Sequence, residues 1–349
     1  MSSNRAEGAK NKKIKIYICM KFDNAPNGGS FQFTKALKKY FVINNVYTDN
    51  VDNADVILFN SFQFNDEVLR LKLKYPNKIF IHRVDGPIKL YNHKKDLREN
   101  LLYAMNRAIA DGTVFQSNWS KDHNFIMGLW AGKFNRVILN SVDKDIFNID
   151  HEKKFDRNKV NIIATSWSSN LKKGFDVYKW MDQNLDFRKI NMTFVGNSPI
   201  AFNNIKSIKP LDSVELSKTL KENDIYITAS RSDPCSNSLI EALHCGLPAI
   251  AYRDGGHPEI IKDSGCFFEH NKEILECIEN VIENYDSYRR KINVLSINEV
   301  ADNYYNFSEC LWKYSFEGKL KVKKISVFSI IIIKIKFILF LLKLSDKYK

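Results

Sequence analysis

SRSDPCSNSLIEALHCGLPAIA, residues 230–251, is the stretch that decides how this chain reads. It opens where an apolar run, DIYITAS (224–230), ends. Asp233 follows, then a proline and a row of small polar residues that predicts a helix start at about Ser236. Glu241 falls about one and a half turns into that helix, and a new apolar run, PAIAY (248–252), comes after it. Strand, loop, helix and strand in this order make a parallel crossover unit. The first-turn amides of Asn237, Ser238 and Leu239 have no acceptor within the helix, and the helix dipole is positive there. Such an end suits a diphosphate, and carboxylates on either side suit sugar or ribose hydroxyls. Taken alone, Asp233 and Glu241 read first as a helix cap and a surface acid; the pattern around them changes that balance.

The same rhythm extends in both directions. Downstream of a polar stretch at 143–159, strand-like runs stand at 160–167, 192–197, 224–230 and 248–252, with helical patterns near 174–184, 213–222, 236–245 and 271–284. Upstream, apolar runs at 14–21, 55–60, 78–84, 112–117 and 136–140 alternate with helices near 31–40, 65–75, 94–109 and 118–128. The expected class is α/β, two Rossmann-like domains with parallel sheets facing each other. Residues 1–13 read as a disordered basic N-terminus and 14–145 as an N-terminal Rossmann-like domain, completed by a C-terminal crossover helix at about 303–320. Residues 146–302 read as a C-terminal Rossmann-like domain and 321–349 as a basic apolar tail. Ligands of open parallel sheets bind beyond the carboxyl ends of the strands, so the cleft between two such domains is the expected site.

The central motif resembles that of the family 4 retaining glycosyltransferases, group 1 enzymes of the GT-B fold. Asp233, seven residues, Glu241, then Ala242, Gly246, Leu247 and Pro248 follow that family's signature. RDGGHPEII (253–261) resembles its Gly-Gly turn, VILNSVDKDIF (137–147) its interdomain linker, and FVGNSP (194–199) and LKKGFD (171–176) further landmarks. The resemblance covers about residues 14–320 and implies that 14–145 is the acceptor-side domain and 146–302 the nucleotide-sugar-binding domain. It implies that Glu241 binds the ribose, that Asp233 binds donor-sugar hydroxyls, and that the amides of Asn237, Ser238 and Leu239 hold phosphate. It further implies that Lys173 neutralises the leaving diphosphate and that Gly29, in the Gly28-Gly29-Ser30 turn after the first strand, approaches the phosphates. His82, read as following the strand KIFI, matches a histidine near the donor sugar, making His82, Asp233 and Lys173 the expected catalytic set. Arg83 and Asp85 of HRVDGP (82–87) are candidate sugar or acceptor contacts, although DGP is also ordinary turn chemistry. Two positions depart from the family pattern: Asp233 stands where Glu is usual, and Ser168 where an Arg commonly accompanies the lysine.

Composition excludes other classes. Apolar residues make up 44% and charged residues 27% of 349, as in a folded globular chain. The net charge is +13. Eight lysines against one acid place much of the excess in 321–349, and Arg5, Lys10, Lys12 and Lys13 place more at the other end, so the body is no nucleic-acid platform. Six scattered cysteines without a C-x-x-C pair read as reduced thiols, and residues 1–13 lack the apolar core of a signal peptide. The asparagine triplets starting at Asn118, Asn191 and Asn306 read as chance. G-x-G-x-x-G, P-loop, zinc and G-x-S-x-G patterns are missing from the sequence.

In the tail, 325–344 reaches the ~20 residues of a spanning helix, but Lys334, Lys336 and Lys343 interrupt it. Lys334 and Lys336 point roughly 200° apart at ~100° per residue. An interfacial segment drawn to anionic lipid is the expectation; packing on the body or an oligomer contact are the alternatives.

The sequence thus leads us to expect a retaining glycosyltransferase that needs no cofactor or metal. It would move a sugar from a nucleotide-sugar donor to a saccharide or lipid-linked acceptor in bacterial surface polysaccharide biosynthesis. The expected location is cytoplasmic, peripheral on the inner face of the cytoplasmic membrane. A nucleotide-sugar epimerase of the same fold and an inactive membrane-associated scaffold are the competing readings.

Overall fold

The structure is a computed structural model that describes residues 12–22, 28–61, 63, 65–92, 96–149 and 154–345. Most of the basic N-terminus expected at 1–13, and the last four residues of the tail, lie outside them. The chain divides into two compact units. The first comprises 1–23, 37–138 and 298–349, and the second 24–36 and 139–297. The division thus falls at 138/139 rather than 145/146, and the turn holding Gly28 and Gly29 counts with the second unit.

In the first unit, five parallel strands stand in the order β1 (Ile16–Cys19), β2 (Val56–Asn60), β3 (Ile79–Val84), β4 (Gly112–Phe115), β5 (Asn135–Val137). The helices between them are α1 (Gly29–Ile43), α2 (Asn65–Lys74), α3 (Ile88–Tyr91), α4 (Arg98–Ile109) and α5 (Asn118–Ile126). Ile16 also bridges Tyr47, so β1 is paired on both sides. β2, β3 and β4 are buried throughout, as the near-continuous apolar runs of a sheet covered on both faces require. Ile57, Phe59 and Phe80 pack with Val68 and Leu69 of α2 and Leu101, Met105 and Ile109 of α4. Each such side chain contributes about 1.5–3 kcal/mol on burial.

The second unit holds a six-stranded parallel sheet in the order β11-β10-β9-β6-β7-β8. Its strands are β6 (Val160–Ser166), β7 (Ile190–Gly196), β8 (Lys206–Ile208), β9 (Ile225–Thr228), β10 (Ala249–Tyr252) and β11 (Gly265–Phe268). Helices α6 (Phe175–Asn184), α7 (Ser213–Glu222), α8 (Asn237–His244), α9 (His257–Ile261), α10 (Glu273–Glu283) and α11 (Tyr285–Arg290) connect and cover them. Side chains alternate between two cores: Ile162, Ala164, Ile225, Ile227 and Ile250 face one, and Ile163, Tyr226, Ala249 and Ala251 the other. The strand order reverses at β6, which pairs with β7 on one side and β9 on the other. A crevice at such a switch point, beyond the carboxyl ends of β6 and β9, is where this architecture binds ligands. β8 and β11 are short sheet-edge strands that the sequence pattern did not reveal.

α12 (Ile297–Phe316) follows the second unit, and from Asn298 the chain belongs to the first unit again. α13 (Val327–Ser345) then packs on α4, seating Ile333 in that core with Ile330 and Phe337 beside it. Of the readings open for the tail, packing on the body is the one this structure displays on one face of the helix.

Candidate functional site

The loops after β6 and β9 carry the central group of polar side chains. Ser236 caps α8, its hydroxyl accepting from Leu239 N–H at 3.4 Å, and helix formation from Asn237 onward follows. Ahead of the cap, Asp233 is almost wholly buried and Lys173 Nζ donates to its carboxylate at 2.8 Å. The second carboxylate oxygen accepts from Cys235 N–H at 3.3 Å. Burial pushes the Asp233 carboxyl up, but Lys173 and then His257 outweigh it and hold it below the usual carboxylate range.

Local turns place Lys173 there. Asn170 caps a short 3-10 turn, Leu171–Lys173, by accepting from Lys172 N–H at 2.9 Å. Gly174 ends the turn at φ 80, a backbone conformation open to glycine, and a Cβ there would lie 2.3 Å from the Ala229 carbonyl at the end of β9. Ser168, the position where the family pattern has Arg, serves this turn: its hydroxyl accepts from Asn170 N–H at 3.2 Å.

Glu241 lies in α8 with 7% of its surface exposed. Burial alone pushes its carboxyl up to about 8, and its carboxylate has no hydrogen-bond or ion-pair partner among the described residues. A buried carboxylate without partners is costly to ionise, and a hydroxyl donating to it would stabilise the charge. Gly29 meets the start of this helix, since a Cβ on it would lie 2.6 Å from Asn237 Cβ. Asn140 Nδ2 holds the Asn237 side-chain oxygen at 2.9 Å. Seven residues named from sequence therefore belong to the second unit: Gly29, Lys173, Asp233, Asn237, Ser238, Leu239 and Glu241.

The Gly-Gly turn supplies supports that sequence reasoning missed. Asp254 accepts from Ser232 N–H at 2.7 Å, and Gly256 N–H donates to the Asp233 carbonyl at 2.9 Å. Gly255, at φ 66, comes so close that a Cβ would lie 2.2 Å from that carbonyl oxygen. His257 is fully buried, with Nδ1 2.9 Å from the Tyr252 carbonyl and Nε2 buried without a partner among the described residues. Beyond the resemblance of 253–261 to a Gly-Gly turn, the sequence signal for these residues was polarity on either side of the glycine pair.

In the first unit, His82 departs from expectation. β3 continues through Val84, so His82 sits inside the strand rather than after it, with no exposed surface. Nε2 donates to the Ser61 carbonyl at 2.8 Å, Nδ1 faces Asn106 Nδ2 at 3.1 Å, and the ring stacks on Phe59. Burial pushes the imidazole down to about 3. A neutral, walled-in ring offers no atom to a substrate in this arrangement, which corrects the placement expected for it. Arg83 is also buried and donates to Asn60 at 2.5 Å and Asp85 at 3.2 Å. Asp85, at the strand's end, keeps 31% of its side chain exposed and also accepts from Gln116.

Comparison with known proteins bears on the family and the fold. Residues 200–293 match the family model for glycosyl transferases group 1. No curated protein sequence matches the chain. Among solved structures, Anabaena HepE in complex with UDP and glucose has a TM-score of 0.60 at 13% identity, covering 88% of this chain and 99% of that one. A glycosyltransferase from Rickettsia africae ESF-5 has a TM-score of 0.57 at 16% identity, with 84% of each chain covered. Sucrose-phosphate synthase from Thermosynechococcus elongatus reaches 0.55 at 13% identity, covering 82% of this chain and 75% of that one. The chain therefore carries a glycosyl transferases group 1 region in its second unit and has the GT-B fold.

Proposed function

We propose that the chain is a retaining glycosyltransferase that takes a sugar from a nucleotide-sugar donor to a saccharide or lipid-linked acceptor. The reading includes a role in bacterial surface polysaccharide assembly, peripheral on the inner face of the cytoplasmic membrane. The observation that carries it is the grouping in one unit of a lysine–aspartate pair at 2.8 Å, a capped helix start and a partnerless buried Glu241. HepE, of the same fold, is described in complex with UDP and glucose, which supports a nucleotide-sugar donor.

In this mechanism the ribose hydroxyls donate to Glu241 and the diphosphate lies against the first-turn amides of α8. Lys173 turns from Asp233 to the departing phosphate, and Asp233 takes donor-sugar hydroxyls. The bond from the anomeric carbon to phosphate breaks and its electron pair leaves with the diphosphate. The acceptor oxygen bonds that carbon on the same face and passes its proton to the departing diphosphate oxygen. Rate enhancement comes from positioning and from charge stabilisation at the leaving group, assigned to Lys173 and the helix start in place of a metal ion. Asp85, held by Arg83, is the sugar or acceptor contact, and His82 is a positioning residue that fixes Ser61.

A thermal-shift screen against UDP-, GDP-, ADP- and CDP-sugars tests the donor, since a true donor stabilises by mass action. Acceptor-dependent release of the nucleoside diphosphate, lost in Lys173→Ala, separates transfer from epimerisation and from an inactive scaffold. No stabilisation by any of the four contradicts the reading.

A further inference from the structure

Two opposite faces of α13 are apolar, and only one is used. Ile333 is 3% exposed in the core against α4, with Ile330 and Phe337 packed beside it. At ~100° per residue, Ile331 and Ile335 lie about 160–200° round the helix from Ile333. They and Val327, Phe328, Ile338 and Leu339 are all exposed, by 49% to 74%. Lys334 and Lys336 fall between the two faces, one on each flank, at about 100° and 60° from Ile333. Their wide separation, puzzling on a helix with a single apolar face, is what two faces require.

The helix is held to the body before it begins. Lys323 N–H donates to Asp111 at 2.7 Å, and Lys323 Nζ reaches the Arg107 and Asn106 carbonyls at the end of α4 at 3.0 and 3.4 Å. Such a cation at a helix C-terminus is favourable. The exposed face is thus carried on a fixed part of the first unit.

We propose that this outer face of α13 docks on an anionic bilayer, lying in the plane of the interface while Ile333 stays packed on α4. The proposal deepens the membrane setting given above and rests on that part of it. From Lys321 to Ser345 the chain carries six lysines and no acid, which suits anionic headgroups. Flanking lysines let the apolar face enter the acyl boundary while their amines stay among the phosphates. Among the described residues no helix is long and apolar enough to cross a membrane, so the helix lies on the bilayer. A second copy of the chain is the poorer occupant: a two-fold contact centred near Ile335 would set Lys334 and Lys336 against their own copies.

The test is co-sedimentation of the full chain with vesicles of phosphatidylcholine alone, or with phosphatidylglycerol added. Wild type should pellet with the anionic vesicles, remain in solution with the neutral ones, and detach as salt rises. The triple variant Ile331→Asp, Ile335→Asp, Ile338→Asp should stay in solution with a wild-type Tm. Lys334→Glu with Lys336→Glu should weaken binding at least about 25-fold, since each lysine lost costs roughly fivefold. Ile333→Ala should lower Tm instead, as it sits on the packed face. Equal pelleting of wild type and the triple variant overturns the proposal, and so does a wild-type dimer that the triple variant abolishes without any vesicle binding. Thermal stabilisation by the donor should be the same in every surface variant, so failure here and failure of the donor site read out separately.

Discussion

Asp111 in the first unit and Glu241 in the second are both buried carboxylates, and their surroundings differ in kind. Asp111 accepts from Phe80 N–H at 2.9 Å, Lys323 N–H at 2.7 Å and Lys72 Nζ at 3.4 Å. Lys72 and Asp111 have no exposed side-chain surface. Burial pushes the aspartate up and the lysine down, and each one's charge opposes the other's shift. Glu241 is as deeply placed and has no such company. A buried acid whose partners are all protein groups is part of the framework; one without partners among the described residues, beside a capped helix start, is where the proposed function puts the ribose.

Breaking the matched site should cost stability. Asp111→Ala leaves Lys72 buried without its counter-charge, worth about 3–5 kcal/mol in such pairs. Chemical denaturation should show that loss, with donor affinity of the folded fraction unchanged. Altered affinity would mean the two regions are not separable in this way.

Breaking the second unit's site should cost function. Lys173→Ala should lower kcat by roughly 10²–10³-fold, the effect of losing one charge-stabilising donor. The double variant Lys173→Ala, Asp233→Asn should recover stability but not rate. Equal kcat in wild type and Lys173→Ala would remove the lysine from the leaving-group role.

Glu241→Gln sharpens the contrast through pH. The folded carboxyl titrates near 8 and the unfolded one near 4.5. The folded state therefore holds its proton longer, and stability falls as pH rises from 4.5 towards 8. The glutamine variant lacks this loss, so its Tm should exceed wild type at pH 8 and the gap should close by pH 5. The opposite sign holds for His82, whose folded pKa of about 3 lies below the usual 6.5. Its stabilising contribution is complete above pH 6.5 and declines as pH falls towards 3. The Tm advantage of wild type over His82→Gln should shrink between pH 7 and pH 5, the smallest of these effects.

How much of this was legible in the sequence depended on whether a role is local. The α8 start was legible because cap, small residues and flanking acids lie within a dozen positions. Lys173 was reached through a resemblance, as nothing local to LKKG reveals that the turn ends beside Asp233. Asp254 and His257 were not legible, because they work through contacts between loops far apart in sequence. His82 was misplaced by three residues of strand length: with β3 ending at Val84 and not at Ile81, Asp85 inherits the strand's end. In the tail, the lysine spacing was visible, but only a neighbour for Ile333 explains it.

On the proposed function, a nucleoside diphosphate lies on the start of α8 with its ribose on Glu241. Calorimetric titration of the nucleotide sugar that stabilises the protein most, into wild type and Glu241→Gln between pH 6 and pH 8.5, tests it. Wild-type affinity should rise with pH, by up to about 50-fold between pH 6 and pH 8 as the carboxyl ionises, with proton release on binding. Glu241→Gln should bind at least ~10-fold more weakly at pH 8, with no pH dependence from this group. Equal affinity and equal proton release in the two proteins would contradict it.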